Sequence, residues 1–492
     1  MKKFFEKIGN GLKKFWSLIT NKWLLKGTTT IILIALVIAG YFGINWVAEQ
    51  ADVEDWDFTT KNLYSLSDAT KERLKNLDKD VTIQLINLSE SEYIVDYANK
   101  YKNASDRVTV EQIDDLETRV DIQTKYNIGT TDTLIVVKSG ERERTLTSDD
   151  LYTYDYTTYE QINVTEEAIT NAIVEVTIED KPKIYVLEGK AYNEPERSLG
   201  IIANALIDEA NEMDLFDILT TGRVPEDCDC LIITTLAQDL SDLERDKILE
   251  YINNGGKLLL LTSQNIIDVD TPNFDQILAQ YGITLEYGAI LEQDNSKMLY
   301  DTPNMLVEQA SASFMANIDM ALKTFMVSPG NIQFADETKL EELGVTYETI
   351  VSTSESSFIR TDFNQTSTSR TDKDSEEGSY IIGAHVTKEI SDDKSSQLII
   401  YSDETFASTS QLVIGFQYIN AVNLYNNKDV VLNSVSHLTE RDDTITIRKT
   451  DETETYTVTD QEDVIIKTII FVVPVLVIVV GITVWIYRRR KA

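Results

Sequence analysis

The sequence predicts an α/β protein, and three observations carry that prediction. From Lys181 onward, continuous apolar runs of strand length alternate with amphipathic stretches of helical period, the pattern of a parallel sheet covered by helices on both faces. Ahead of them lies a smaller succession of strands and helices with its own turn signals. Outside both regions stand two twenty-residue stretches without a charge, Thr28 to Val47 and Thr468 to Tyr487.

The chain opens with Lys2, Lys3, Lys7, Lys13, Lys14, Lys22 and Lys26 against a single acid, Glu6. Phe4, Ile8, Leu12, Phe15, Ile19 and Trp23 recur among them every three to four residues. Residues 1–27 therefore read as a basic amphipathic segment, lying in an inner headgroup layer or docked on a membrane partner, with Gly9 and Gly11 weakening the helix. Residues 28–47 follow as a helix about 30 Å long, enough to cross a bilayer. Glu49, Asp52, Glu54, Asp55 and Asp57 come next, so the positive-inside rule keeps the N-terminus in the cytoplasm. A cleaved secretory leader is the competing reading; the long basic region and the poor cleavage site at Val47-Ala48-Glu49 favour a retained anchor.

Residues 48–180 form the first outer region. Ser67 is a good N-cap, so a helix is expected from Asp68 to Leu77. VTIQLINL reads as a strand, EYIVDYANKY as a helix, VTVEQID as a second strand, and TDTLIVVKSGERERTLT as a hairpin turning at Ser139-Gly140. The order β-α-β-α-β-β is that of a thioredoxin-like domain, without the Cys-x-x-Cys pair that gives such domains redox chemistry.

Residues 181–440 form the larger region. KIYVLEG is a strand and Ser198 to Ala210 a helix; DLFDILT and CLIITTL are strands. SDLERDKILEYINNGG is a helix closed by Gly255-Gly256, KLLLLTS an apolar strand, and NFDQILAQYG a helix ending at Gly282. Leu285 to Glu389 is less regular, with FNQTSTSRTDKDSEEGS a polar loop. The sheet resumes at SQLIIYSDETF, and the helix VVLNSVSHL follows.

Residues 441–467 include TITIRKTDETETYTVTD, an alternating hairpin beside the membrane. Residues 468–487 form a second span, kinked at Pro474, and the tail 488–492 begins with Arg488, Arg489 and Arg490, which stay in the cytoplasm. The expected protein is a two-span membrane protein with both termini inside and its large body outside.

The charges bound the partners. The formal net charge is −37, and residues 49–466 alone hold 33 basic against 81 acidic residues. That excess excludes nucleic acid, whose phosphates need a basic face. It keeps the body soluble and leaves attraction to cations or basic segments open. The two cysteines, Cys228 and Cys230, make no disulfide framework: at i and i+2 of a strand they point to one face about 7 Å apart. They read as small hydrophobes at a strand entrance, with a metal or redox pair as the alternative. His385 and His437 sit in apolar runs, in the core or at the surface.

Catalytic and nucleotide motifs are absent from the sequence. It contains no phosphate-binding G-x-x-x-x-G-K-[ST] loop, no G-x-G-x-x-G, no H-E-x-x-H, no G-x-S-x-G and no C-x-x-C, and neither of the two histidines stands beside a plausible nucleophile of a hydrolytic triad. The reading is of a protein that is not an enzyme, without cofactor or metal. Asp268-Val-Asp270 begins like a calcium loop but lacks the glycine at the sixth place, and Asp372 to Gly378 is a loose acidic loop. If the parallel sheet binds a ligand or partner, its carboxyl strand ends are the place. Those ends carry Glu188, Gly189, Thr234, Thr235, Ser263 and Gln264, which also read as ordinary strand-to-helix turns with capping hydroxyls.

NLYSLSDATKERLKNLDKDVTIQLI, then KIYVLEGKAY, NNGGKLLLLTS and FDQILAQYGITLEYGAI, and finally SDETF with NNKDVVLNSVSHLTERDDTITIR resemble, taken together, the GldG family. FMVSPGN and IVSTSESSF fall where that family has similar short runs, and the resemblance covers most of Asn62 to Lys449. Its members are auxiliary extracytoplasmic subunits of ABC-2 type transporters, some with gliding-motility roles. The resemblance implies an ABC-2 permease and a cytoplasmic ABC ATPase as partners, alongside membrane lipid. It also implies an amidotransferase- or flavodoxin-like parallel domain that has lost its nucleophile. Glu188-Gly189-Lys190-Ala191 stands where the family has a Gly-His-Gly-Glu-like turn, and His437 where an aromatic is common. An accessory subunit is therefore the leading reading, an extracytoplasmic ligand-binding or sensing module the second, and an envelope hydrolase whose residues meet only in space the third.

Overall fold

A computed structural model describes residues 65–88, 92–154, 161–315, 322–391, 393–414, 417–441 and 489–490. The chain divides into two compact units, Met1–Leu66 and Ser67–Ala492. The basic segment 1–27, both uncharged stretches and the alternating segment after Arg441 lie outside the described residues. Among the described residues no helix is long and apolar enough to cross a membrane.

Ser67 accepts a hydrogen bond from Thr70 N at 3.2 Å and starts helix α1 (Asp68–Lys75) where the capping signal puts it. There follow β1 (Val81–Ile86), α2 (Glu92–Ala104), β2 (Val108–Ile113), α3 (Val120–Tyr126), β3 (Leu134–Ser139) and β4 (Arg142–Leu146). The sheet order is β2-β1-β3-β4, with β1 parallel to β2 and antiparallel to β3. Ser139 pairs with Arg142, which leaves a two-residue turn starting at Gly140, whose φ of +60° suits glycine. The second helix of the expected order is α3, which sequence analysis had not located. A further helix, α4 (Thr165–Thr177), also went unmarked. It packs against β3 and β4 and also meets helix α5 (Gly200–Asp208) of the larger sheet, so it is buried on most of its turns and lacks a polar stripe. Its buried Glu166 accepts from Ser67 N at 2.8 Å and Tyr97 Oη at 3.3 Å, tying α1 and α2 to it.

The larger sheet is built from β5 (Lys183–Leu187), β6 (Glu212–Phe216), β7 (Cys230–Thr234), β8 (Lys257–Leu261), β9 (Val345–Ser352), β10 (Ile381–Ser391) and β11 (Lys394–Tyr401). Its order is β9-β10-β11-β8-β7-β5-β6. The five strands from β11 to β6 are parallel, while β10 runs antiparallel to both β11 and β9, so that β9 points the same way as the five. The expected all-parallel sheet is therefore a mixed one. Numbered along the chain, the parallel strands lie in the doubly wound order 2-1-3-4-5.

Helices cover both faces. Ile184, Ile232, Leu259 and Ile399 face α5 (Gly200–Asp208) and α8 (Asn427–Leu438), while Leu231, Ile233, Leu258 and Ile400 face α6 (Asp242–Asn253) and α7 (Pro272–Ala279). Alternate residues of each strand thus enter opposite cores, which is why these strands read as unbroken apolar runs. Ser241 and Glu244 form a capping box at the start of α6.

DLFDILT was expected to be all strand. It stops at Phe216, because the Asp217 side chain accepts from Leu219 N at 2.9 Å and caps a short helix, Ile218–Thr221. Residues 285–389 are more ordered than their pattern suggested. Besides β9 and β10 they hold antiparallel pairs, among them Met305–Ala310 with Leu322–Val327. These are edge or surface strands whose exposed positions carry Thr, Glu and Gln and dilute the apolar alternation. The polar loop after Phe358–Arg360 has no regular structure but is organised around Arg360, whose guanidinium grips Asp374 at 2.9 and 2.8 Å and Ser369 O at 3.0 Å.

Candidate functional site

In a doubly wound sheet of this order the ligand crevice opens at the carboxyl ends of the first and third parallel strands, where successive crossovers depart in opposite directions. Here those strands are β5 and β7, and their loops close the crevice. Tyr192 N donates to Thr235 O at 2.7 Å, Ala237 N donates to Lys190 O at 2.8 Å, and Ala191 and Leu236 form an antiparallel bridge.

Four residues expected at this end meet there, and two acids join them. Ser263 N donates to Thr235 Oγ1 at 2.9 Å, and Gln264 Oε1 accepts from Leu236 N at 3.1 Å. Thr234 ends β7 beside Thr235, and both are buried. Asp403 and Glu404, which follow β11, complete the network. Glu404 accepts from Asn193 Nδ2 at 2.9 Å and Thr235 N at 3.1 Å, while Ser263 Oγ accepts from Glu404 N at 2.9 Å. Asp403 accepts from Val327 N at 2.7 Å, Thr405 N at 2.8 Å and Ser263 Oγ at 3.3 Å. Two carboxylates thus pin the loops after β5, β7 and β8 and the strand ending at Val327. Glu188 and Gly189 stand beside this network. Glu188 is half-buried and donates its N–H to Phe216 O, and Gly189 is exposed with φ +84°.

Burial pushes the Asp403 carboxyl up to about 6, against the opposing effect of the three donors around it. Sequence reasoning missed Asp403, Glu404 and Asn193. The available signal was a pair of consecutive acids directly after an apolar strand, which alone reads as a solvated turn. Ser263 Oγ both donates and accepts inside the network and has no imidazole beside it. The two histidines lie elsewhere: His437 stacks on Phe314 with centroids 4.4 Å apart, and His385 meets His437 edge-on at 4.7 Å. The arrangement does the work of a cross-link: Thr235, Ser263, Gln264, Asp403 and Glu404 each hold another loop through their side chains.

Cys228 and Cys230 are free, Cys230 within β7 and Cys228 half-buried just before it. Burial raises both thiols, Cys228 up to about 12, so neither is a ready thiolate. Asp374 of the acidic loop is taken by Arg360, which holds its carboxyl down at about 2. Among the described residues no cluster of three or more His, Cys, Asp or Glu side chains is placed to hold a metal ion. A groove of about 610 Å³ lies at the amino ends of the strands, with Arg142, Lys183, Glu212 and Asp227 in its walls.

The family model described as an ABC-type uncharacterized transport system matches residues 181–434, more than half the chain and the whole of the seven-stranded body. The chain belongs to this family. Membership makes it an auxiliary component of an ABC-type transport system. No curated protein matches the chain. Among solved structures it is similar to the mmIFT52 N-terminal domain, at 12% identity and TM-score 0.38 over 52% of this chain and 97% of that one. A ThuA-like protein from Bacteroides uniformis ATCC 8492 is similar at 11% identity and TM-score 0.31, over 53% of this chain and 93% of that one.

Proposed function

We propose that the chain is a non-catalytic, membrane-anchored accessory subunit of an ABC-2 type transporter of the GldG kind, working with a separate permease and a separate cytoplasmic ATPase. In this reading residues 28–47 and 468–487 span the membrane. Lys13, Lys14, Lys22 and Lys26 stay in the cytoplasm with Arg488, Arg489 and Arg490, and the acidic body stands outside. Residues 48–180 are its thioredoxin-like domain and 181–440 its flavodoxin-like domain. The observation that carries the reading is the family match across the entire larger sheet, in a chain that has no phosphate-binding loop of its own. Two spans are too few to enclose a transport path, so transport needs the other subunits. The closed crevice supports a body that works through its outer surfaces and not through a pocket between β5 and β7. A photo-crosslinking residue placed along the 468–487 span in intact cells tests this. The reading expects capture of a polytopic permease, and capture of lipid alone at every position contradicts it.

A further inference from the structure

Strand β6 ends the seven-stranded sheet, and no described strand pairs with its outer edge. Glu212 N donates inward to Pro182 O, and Phe216 O accepts inward from Glu188 N. By alternation the backbone groups of Met213 and Leu215 point outward, where an added strand would meet them.

The two sides of this edge differ in kind. Met213 and Leu215 are half-buried against the core under α5, and Ile207 on that helix stands 45% exposed. Glu212 and Asp214 project from the opposite side and are exposed. Glu212 also borders the groove of about 610 Å³ at the amino ends of the strands, which seven acidic and three basic side chains line. The three bases are already engaged. Lys183 meets Asp227 at 2.6 Å, Lys181 meets Glu175 at 3.0 Å, and Arg142 donates to the carbonyls of Ile178 and Glu179.

A second copy does not suit this edge. Two antiparallel registers engage Met213 within the strand, and both set acid against acid: Glu212 opposite Asp214, or Asp214 opposite itself. The charges that repel a like edge attract a basic one. We infer that β6 takes an extended segment of another protein, in which apolar residues alternate with lysine or arginine, as an added strand. Its apolar residues cover Met213 and Leu215, and its cations stand beside Glu212 and Asp214. A slip by one residue would turn the cations onto the apolar side, so the alternation sets the register. The net charge of −37 draws such a segment in before it docks. This recognition does not depend on which transporter subunits the chain serves.

A short capped peptide alternating valine with arginine, labelled for fluorescence anisotropy and titrated into the full-length protein in detergent, tests this. It is expected to bind at least tenfold more tightly than a peptide of the same composition with its valines and arginines in separate blocks. Equal affinity would mean attraction to charge alone and would overturn the inference. Leu215→Pro removes an outward N–H without taking a bond from the sheet, so it should bind the alternating peptide at least tenfold more weakly than Leu215→Ala. Glu212→Gln with Asp214→Asn should weaken binding at least fivefold, and unchanged affinity in either comparison counts against the pairing. Amide exchange of the unmodified protein reads the same event without substitutions. The Met213 and Leu215 amides should exchange at least tenfold slower once the peptide is bound. Protection of both before any peptide is added would give the edge to this chain or a second copy, and no slowing on addition would put the peptide elsewhere; either result sinks the inference.

Discussion

Removing the carboxylate of Asp374 should loosen a defined stretch of surface without disturbing the sheet. Arg360 and Asp374 side chains are 5% and 0% exposed and meet through two bonds at 2.9 and 2.8 Å, and Asp374 also accepts from Thr371 N at 2.7 Å. Asp374→Ala leaves a buried guanidinium with only carbonyl acceptors, a loss of about 3–5 kcal/mol for breaking such a pair. Local opening should then rise by about 100-fold or more, at a tenfold change per about 1.4 kcal/mol. Amide exchange in the full-length protein should show this in 361–380 while β7 and β8 stay protected. Replacing both partners, Arg360→Met with Asp374→Leu, should recover much of the loss, since the stranded charge goes too. A change of less than threefold in the single variant would refute the claim that this pair organises the loop. The pair also sets an acid limit. Because Asp374 titrates near 2, below its unfolded value near 3.8, its contribution is full above pH 4 and fades as pH falls through 2.

Asp403 should act in the opposite sense. With its folded value raised to about 6, the native state favours the protonated carboxyl, so its contribution is full below about pH 4 and declines as pH rises through 6. Asp403→Asn should flatten that part of the thermal-stability profile, and an unchanged slope would count against the buried placement. Ser263→Ala removes a donor to Asp403 and an acceptor for Glu404 N, and should lower stability by about 1–3 kcal/mol in denaturant titration. Gly330→Ala would bring Cβ within 2.5 Å of Asn265, whose amide donates to Gly288 O at 2.9 Å and Ser328 O at 3.2 Å. A loss of about 1–3 kcal/mol is expected there. Gly378→Ala, with nothing within 4 Å of the added methyl, should stay within about 0.5 kcal/mol of the parent.

What the sequence disclosed follows from where its signals are local. Ser67 and Gly140 mark a helix start and a turn through contacts a few residues away, and the structure uses both as expected. Strands β5, β7 and β8 were legible because both their faces are buried. Helix α4 was not, since partners on two sides removed its polar stripe, and β9 was not, since an edge strand mixes polar residues into its alternation. At the carboxyl end, Thr234, Thr235, Ser263 and Gln264 were legible as strand ends. Asp403 and Glu404 were not, because their role depends on Ser263 and Thr235, which lie about 140 and 169 residues away. That separation also hid the closure of the crevice.

The central proposal is that this auxiliary component works beside a separate permease and a separate ATPase. Purification of the tagged full-length protein from its native membranes in mild detergent, at native expression, tests this most directly. A polytopic permease and an ABC ATPase should co-elute in fixed ratio, with all ATP hydrolysis lost when the ATPase's phosphate-binding lysine is changed. Recovery of the chain alone, in repeated preparations that keep other membrane complexes intact, would contradict the account.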